Sequence, residues 1–143
     1  MRRVRLDERG SASIFVLGMS IVLMVCAGLV VDGGLAINAR MRVADDAEQA
    51  SRVGADSINL DILRAGGGIV IDPDLAARRS ADYLNGRGYT PGQYSLDIEG
   101  ETVSVTVRDT TDTMILGLVG IDTYDVEAAA SATPETEPDP AGP

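Results

Sequence analysis

Lysine, histidine and tryptophan are absent from this sequence, and cysteine and phenylalanine occur once each. All 12 basic residues are therefore arginines, set against 22 acids for a net charge of −10. Each absence removes a class of chemistry. Without histidine or lysine there is no Ser–His or Cys–His couple, no histidine metal site, no Schiff base and no phosphate-loop lysine. A single cysteine, Cys26, excludes an intramolecular disulfide. The acidic excess makes a poor partner for nucleic-acid phosphates. At 143 residues the chain holds one small domain at most.

What is present is dominated by one stretch. Residues 11–31 carry no charge, and 16 of these 21 are apolar. At about 1.5 Å rise per residue, a helix of this length matches a hydrocarbon core of about 30 Å. The flank before it, residues 1–10, is net +2, whereas everything from Asp32 onward is net −12. The positive-inside bias predicts a single-pass protein of the cytoplasmic membrane, with its N-terminus inside and its acidic remainder exported. A cleaved signal peptide is the competing reading, with a loose small-x-small site at Val25-Cys26-Ala27. Its apolar part is ordinarily only about 7–15 residues long. Met24-Val25 does not suit lipid modification of Cys26. The rest of the chain is too small to wrap a helix that is apolar on every side.

Beyond Asp32, small and apolar residues recur at Ala36, Ala39, Val43, Ala47, Ala50, Gly54 and Ile58 with gaps of three and four, the signature of one helical stripe. The other faces are charged, with Arg42/Asp46 and Glu48/Arg52 at i,i+4. An amphipathic helical stalk is expected over 32–64, ending near Leu63, with Gly33-Gly34 as a hinge. The stripe suits either the chain's own sheet or a helix of a partner, and its spacing does not choose between them.

Residues 65–132 read as a small extracytoplasmic α+β domain. Three glycines at 66–68 break the helix, and Ile69-Val70-Ile71 follows as a short edge strand or an anchor under the loop. Asp72-Pro73 starts a second helix that ends at Asn85-Gly86. Tyr94, Leu96 and Ile98, then Val103, Val105 and Val107, alternate with polar residues on either side of Glu99-Gly100-Glu101, which predicts a hairpin with one apolar face. Asp112 is placed to cap a short apolar helix from Met114 to Val119, closed by Gly120. A third strand carries Tyr124, Val126 and Ala128. The proline-rich acidic tail, 133–143, cannot bury anything.

No constellation supports catalysis. Asp45-Asp46 diverge by about 100° on a helix, and are read as a solvated face rather than as metal ligands or an acid–base pair. Asp72-Pro73-Asp74 and Asp109 to Asp112 serve as turns and caps, and the triple glycine lacks the lysine of a phosphate loop. No catalytic, cofactor-binding or metal-ligating residue is assigned, and no small-molecule substrate is expected. A secreted binding protein, and a membrane-tethered hydrolase acting through carboxylates alone, are the alternatives from other classes.

Arg9-Gly10-Ser11 leading into the apolar run, then Val30-Val31-Asp32-Gly33-Gly34, then Ala44 to Ala55, resembles the N-terminal region of TadE/TadG-like proteins of Flp (tight-adherence) pilus assembly. Val103–Val107, Thr113–Ile121 and the strand ending Ala128–Ala132 are similar to the end of short actinobacterial members. The resemblance implies a pilin-like α+β fold, a membrane-anchored assembly component without enzymatic activity, and partners among the bilayer lipids and other pilus-assembly proteins. Pseudopilin-like members have glutamate five residues after the glycine at which a prepilin peptidase cuts, and the corresponding residue after Gly10 is Phe15. The uncleaved TadG-type arrangement is therefore expected, without the large adhesion domain of full-length TadG.

Overall fold

The computed structural model describes residues 8–134, so the basic residues 1–7 and most of the expected tail, 135–143, lie outside the described residues. The elements run α1 (Glu8–Ala55), α2 (Leu60–Arg64), α3 (Pro73–Gly86), β1 (Tyr94–Glu99), β2 (Thr102–Asp112), a 3-10 turn (Leu116–Val119) and β3 (Thr123–Ala132). The three strands form one sheet in the order β1-β2-β3, and the fold is α+β. Within the described residues the chain divides into two compact units. One comprises residues up to Ile37 together with Thr111–Tyr124, and the other Asn38–Thr110 together with residues from Asp125 onward.

In the first unit, α1 is apolar and its side chains are open, with Ile14, Phe15, Leu17, Val22 and Leu23 all exposed. It is the one helix among the described residues long and apolar enough to cross a membrane. The helix passes through Gly33 and Gly34 without a break. The hinge expected there is thus not a gap in the helix: the continuing i to i−4 bonds hold both glycines helical.

In the second unit, α1 ends at Ala55, short of the expected Leu63. The reason lies in Asp56-Ser57-Ile58-Asn59, whose polar side chains compete for the backbone and favour caps. Asn59 accepts the N–H groups of Asp61 and Ile62 and starts α2 afresh. Asn59 N–H donates to the Val70 carbonyl at 2.7 Å and Asp72 N–H to the Ser57 carbonyl at 2.8 Å, around an Ile58–Ile71 bridge. Ile58 therefore belongs to this bridge and not to the helical stripe. Ile71, from the short apolar run at 69–71, is fully buried.

The rest follows the residue chemistry closely. Asp72 accepts the Leu75 N–H at 3.0 Å, and Pro73 opens α3. The hairpin pairs Tyr94 with Val107, Leu96 with Val105 and Ile98 with Val103, turning at Gly100 with φ of +60°. Val103, Val105 and Val107 are completely buried. On β3, Val126 joins the same core.

Candidate functional site

Three places in the described residues bear on function. The first is the stripe of α1. Ala39, Val43, Ala47, Ala50 and Gly54 are buried, and all but Gly54 belong to one core cluster with Ala76 and Leu84 of α3, the valines of β2, and Val126. Ala36 and Ile58 are half-buried. The small side chains let backbones approach closely. Ser80 of α3 donates its hydroxyl to the Ala50 carbonyl at 2.9 Å. A Cβ at Gly54 would lie 2.5 Å from Ser80 Oγ and 2.8 Å from Val103 Cγ1. Most of the stripe is thus covered by the chain's own α3 and sheet.

The second is Asp46, on a face expected to be solvated. Asp45 is exposed, but the Asp46 side chain is 5 % exposed. Arg87 Nε donates to its Oδ1 at 2.8 Å, and the Tyr89 hydroxyl donates to its Oδ2 at 2.9 Å. Asp46 is therefore not a solvated residue; Arg87, just beyond α3, takes the role expected of Arg42. Burial, together with the hydrogen bond to Asp46, pushes the Tyr89 hydroxyl well above its ordinary pKa. The expected Glu48/Arg52 pair does form, on the exposed side.

The third is Asp32. Its carboxylate is 1 % exposed although it follows directly on the apolar stretch. Oδ1 accepts the Met114 N–H at 2.8 Å, and Oδ2 accepts the N–H groups of Ile115 at 3.0 Å and Leu116 at 2.6 Å. Asp112, the cap expected for this turn, lies instead in β2, and the turn has no side-chain cap of its own next to it. Burial raises the Asp32 pKa, but the N–H groups of Leu116, Met114 and Ile115 all favour the charged form and together bring it below the ordinary carboxylate value. Gly28, one turn earlier, makes room for the loop: a Cβ there would meet Ile115 Cγ2 at 2.6 Å. As expected, Gly120 closes the turn, with φ of +87°.

These features coincide with a known pattern. Residues 10–57 match the Tad family, described as "Putative Flp pilus-assembly TadE/G-like". The match covers 48 of the 143 residues, and over that stretch the chain is similar to this family. No curated protein and no solved structure matches the chain. The matched third of the chain holds all of the apolar stretch, Asp32, the buried stripe and Asp46. Among the described residues no three His, Cys, Asp or Glu side chains converge as metal ligands do.

Reading residues in isolation missed Asp32 and Asp46 for one reason: their partners lie 82–84 and 41–43 residues away. A local signal did exist for Asp32. No arginine stands three or four residues from it, and the uncharged run 113–121 needs an acceptor for its turn.

Proposed function

We propose that this chain is a TadE/G-like, non-enzymatic, membrane-anchored component of Flp-type pilus assembly, held in the cytoplasmic membrane by residues 11–31 with its N-terminus inside. The carrying observation is the character of α1, whose apolar half is open along nearly all of its length while its later half builds the domain core. A helix apolar all round needs an apolar surrounding, and lipid supplies it. The charge step from net +2 to net −12 across this stretch supports export of the domain 65–132 and of the stalk leading to it. The family match supports the pilus-assembly context. With the stripe from Ala39 to Gly54 used internally, the contacts to other pilus proteins fall to the exposed surfaces of the domain.

Deletion of the gene in its own bacterium, with complementation, tests this reading. The full chain restores piliation, sediments with membranes and resists alkaline extraction. A Val22→Arg/Leu23→Arg variant is lost from membranes and restores nothing. Normal piliation without the chain, or extraction of the full chain by alkali alone, overturns the proposal.

A further inference from the structure

The turn Thr113–Ile121 is as apolar as the helix it touches. No charged residue occurs between Asp112 and Asp122. Met114 and Leu118 are 72 % and 74 % exposed, and Ile121 is also open. Such large apolar side chains on a turn between two strands of a soluble domain serve no internal packing. The turn belongs to the same compact unit as the apolar part of α1. Ile115, Leu116 and Leu118 form with Ile21, Met24 and Val25 an apolar groove of about 200 Å³.

We propose that this turn is a second membrane-embedded element, with Met114, Leu118 and Ile121 inserted at the headgroup–acyl boundary of the bilayer that α1 crosses. The proposal rests on the reading of α1 as the anchor. Its occupant is lipid because the turn's exposed apolar surface is continuous with that of the helix, through Ile21, Met24 and Val25. A turn can enter that boundary only if its backbone polar groups are satisfied by the protein. Here Asp32 takes three successive N–H groups. Leu118 N–H goes to the Ile115 carbonyl, Gly120 N–H to Gly117, and Ile121 N–H to Leu116. At the base, Thr113 N–H donates to the Asp122 carbonyl and its hydroxyl to the Ile121 carbonyl. Asp32, the first charge after the apolar run, is itself shielded by those donors, which lowers the cost of a carboxylate beside the acyl chains. The turn thus grips the helix where it leaves the hydrocarbon and adds a second apolar foot to the anchor.

The absence of tryptophan makes the test direct. Single-tryptophan full chains, Leu118→Trp, Val22→Trp and Ser95→Trp, are reconstituted in phosphatidylcholine vesicles with brominated acyl chains. Leu118→Trp is expected to show blue-shifted emission and a loss to the brominated chains comparable to that of Val22→Trp, while Ser95→Trp, on the outer face of β1, is quenched only by aqueous iodide. Met114→Trp repeats the measurement at a second exposed position. Iodide quenching of Leu118→Trp and Met114→Trp, with Val22→Trp still quenched from the lipid, overturns the embedded turn and leaves the anchor standing. Blue-shifted emission that brominated lipid does not quench overturns it too, by showing a protein cover such as a second copy. If Val22→Trp itself escapes the lipid quencher, the anchor reading fails.

Discussion

Asp32 and Leu116 stand 84 residues apart, and the carboxylate Oδ2 of the first accepts the backbone N–H of the second at 2.6 Å. The same carboxylate takes the Met114 and Ile115 N–H groups, so one helix side chain holds a turn that connects two strands. Charge-assisted bonds of this kind are stronger than neutral ones. In Asp32→Ala the three N–H groups lose their acceptor, and their hydrogen exchange is expected to accelerate by roughly tenfold or more, as local opening becomes easier. Asp32→Asn keeps one acceptor oxygen but turns an NH2 group toward the donors, so it falls between. Exchange at Met114, Ile115 and Leu116, measured by mass spectrometry on the detergent-solubilised full chain, decides the matter. Unchanged protection in Asp32→Ala would mean that the carboxylate does not hold the turn.

The pH dependence has two limbs with opposite signs. Asp32 has a lowered pKa in the fold, so its contribution is complete above the unfolded carboxylate value of about 3.9 and is lost as pH falls through the lower folded value. Tyr89 has a raised pKa, so its contribution is complete below the unfolded phenol value of about 10 and is lost as pH rises through the higher folded one. Denaturation midpoints across pH are expected to form a plateau between these limits. Asp32→Asn should flatten the acid limb relative to the parent chain, and Tyr89→Phe the alkaline limb. Parallel curves for parent and variant would remove the corresponding group from the account.

How far the residues alone disclosed this molecule depends on the range of each interaction. Local signals read well: Asp72-Pro73 opens α3, and the alternation of Tyr94 to Ile98 with Val103 to Val107 is the observed register. The stripe Ala39-Val43-Ala47-Ala50-Gly54 was also legible as a face, because helical spacing reports which residues point together. It does not report whose atoms cover them, and these atoms belong to α3 and the sheet. Large side chains at Ala47 and Ala50 would therefore disrupt folding and cannot probe a partner. The end of α1 was misplaced because Ile58 continues the spacing, while its backbone pairs with Ile71. Asp32 and Asp46 were hidden because their partners come from distant segments.

Asp46 offers a separable test of the second unit. Its carboxylate is buried, whereas Arg87 is half-exposed, so the ion pair itself is worth little after solvent screening. The larger loss in Asp46→Ala is the buried Tyr89 hydroxyl left without an acceptor, a cost of about 1–3 kcal/mol. Asp46→Ala/Tyr89→Phe removes donor and acceptor together and should recover part of that loss. Chemical denaturation of the two variants and of Tyr89→Phe forms a double-mutant cycle. Strict additivity would show that the 2.9 Å bond between the two side chains contributes no coupling.

The glycines of α1 separate close packing from flexure. At Gly34 a Cβ meets nothing within 4 Å, so Gly34→Ala gains helix propensity of up to about 1 kcal/mol without any clash. At Gly54 the same propensity gain is opposed by overpacking against Ser80 and Val103, which costs about 1–3 kcal/mol. Gly54→Ala should therefore lower the thermal midpoint while Gly34→Ala raises or preserves it. The first pair also tests the hinge. We propose that Gly33-Gly34 lets α1 flex during assembly although it is helical at rest, so Gly33→Ala/Gly34→Ala should give a stable, membrane-bound chain with impaired piliation. Full piliation by that double variant would show that the two glycines are dispensable for bending and that α1 works as one rigid rod.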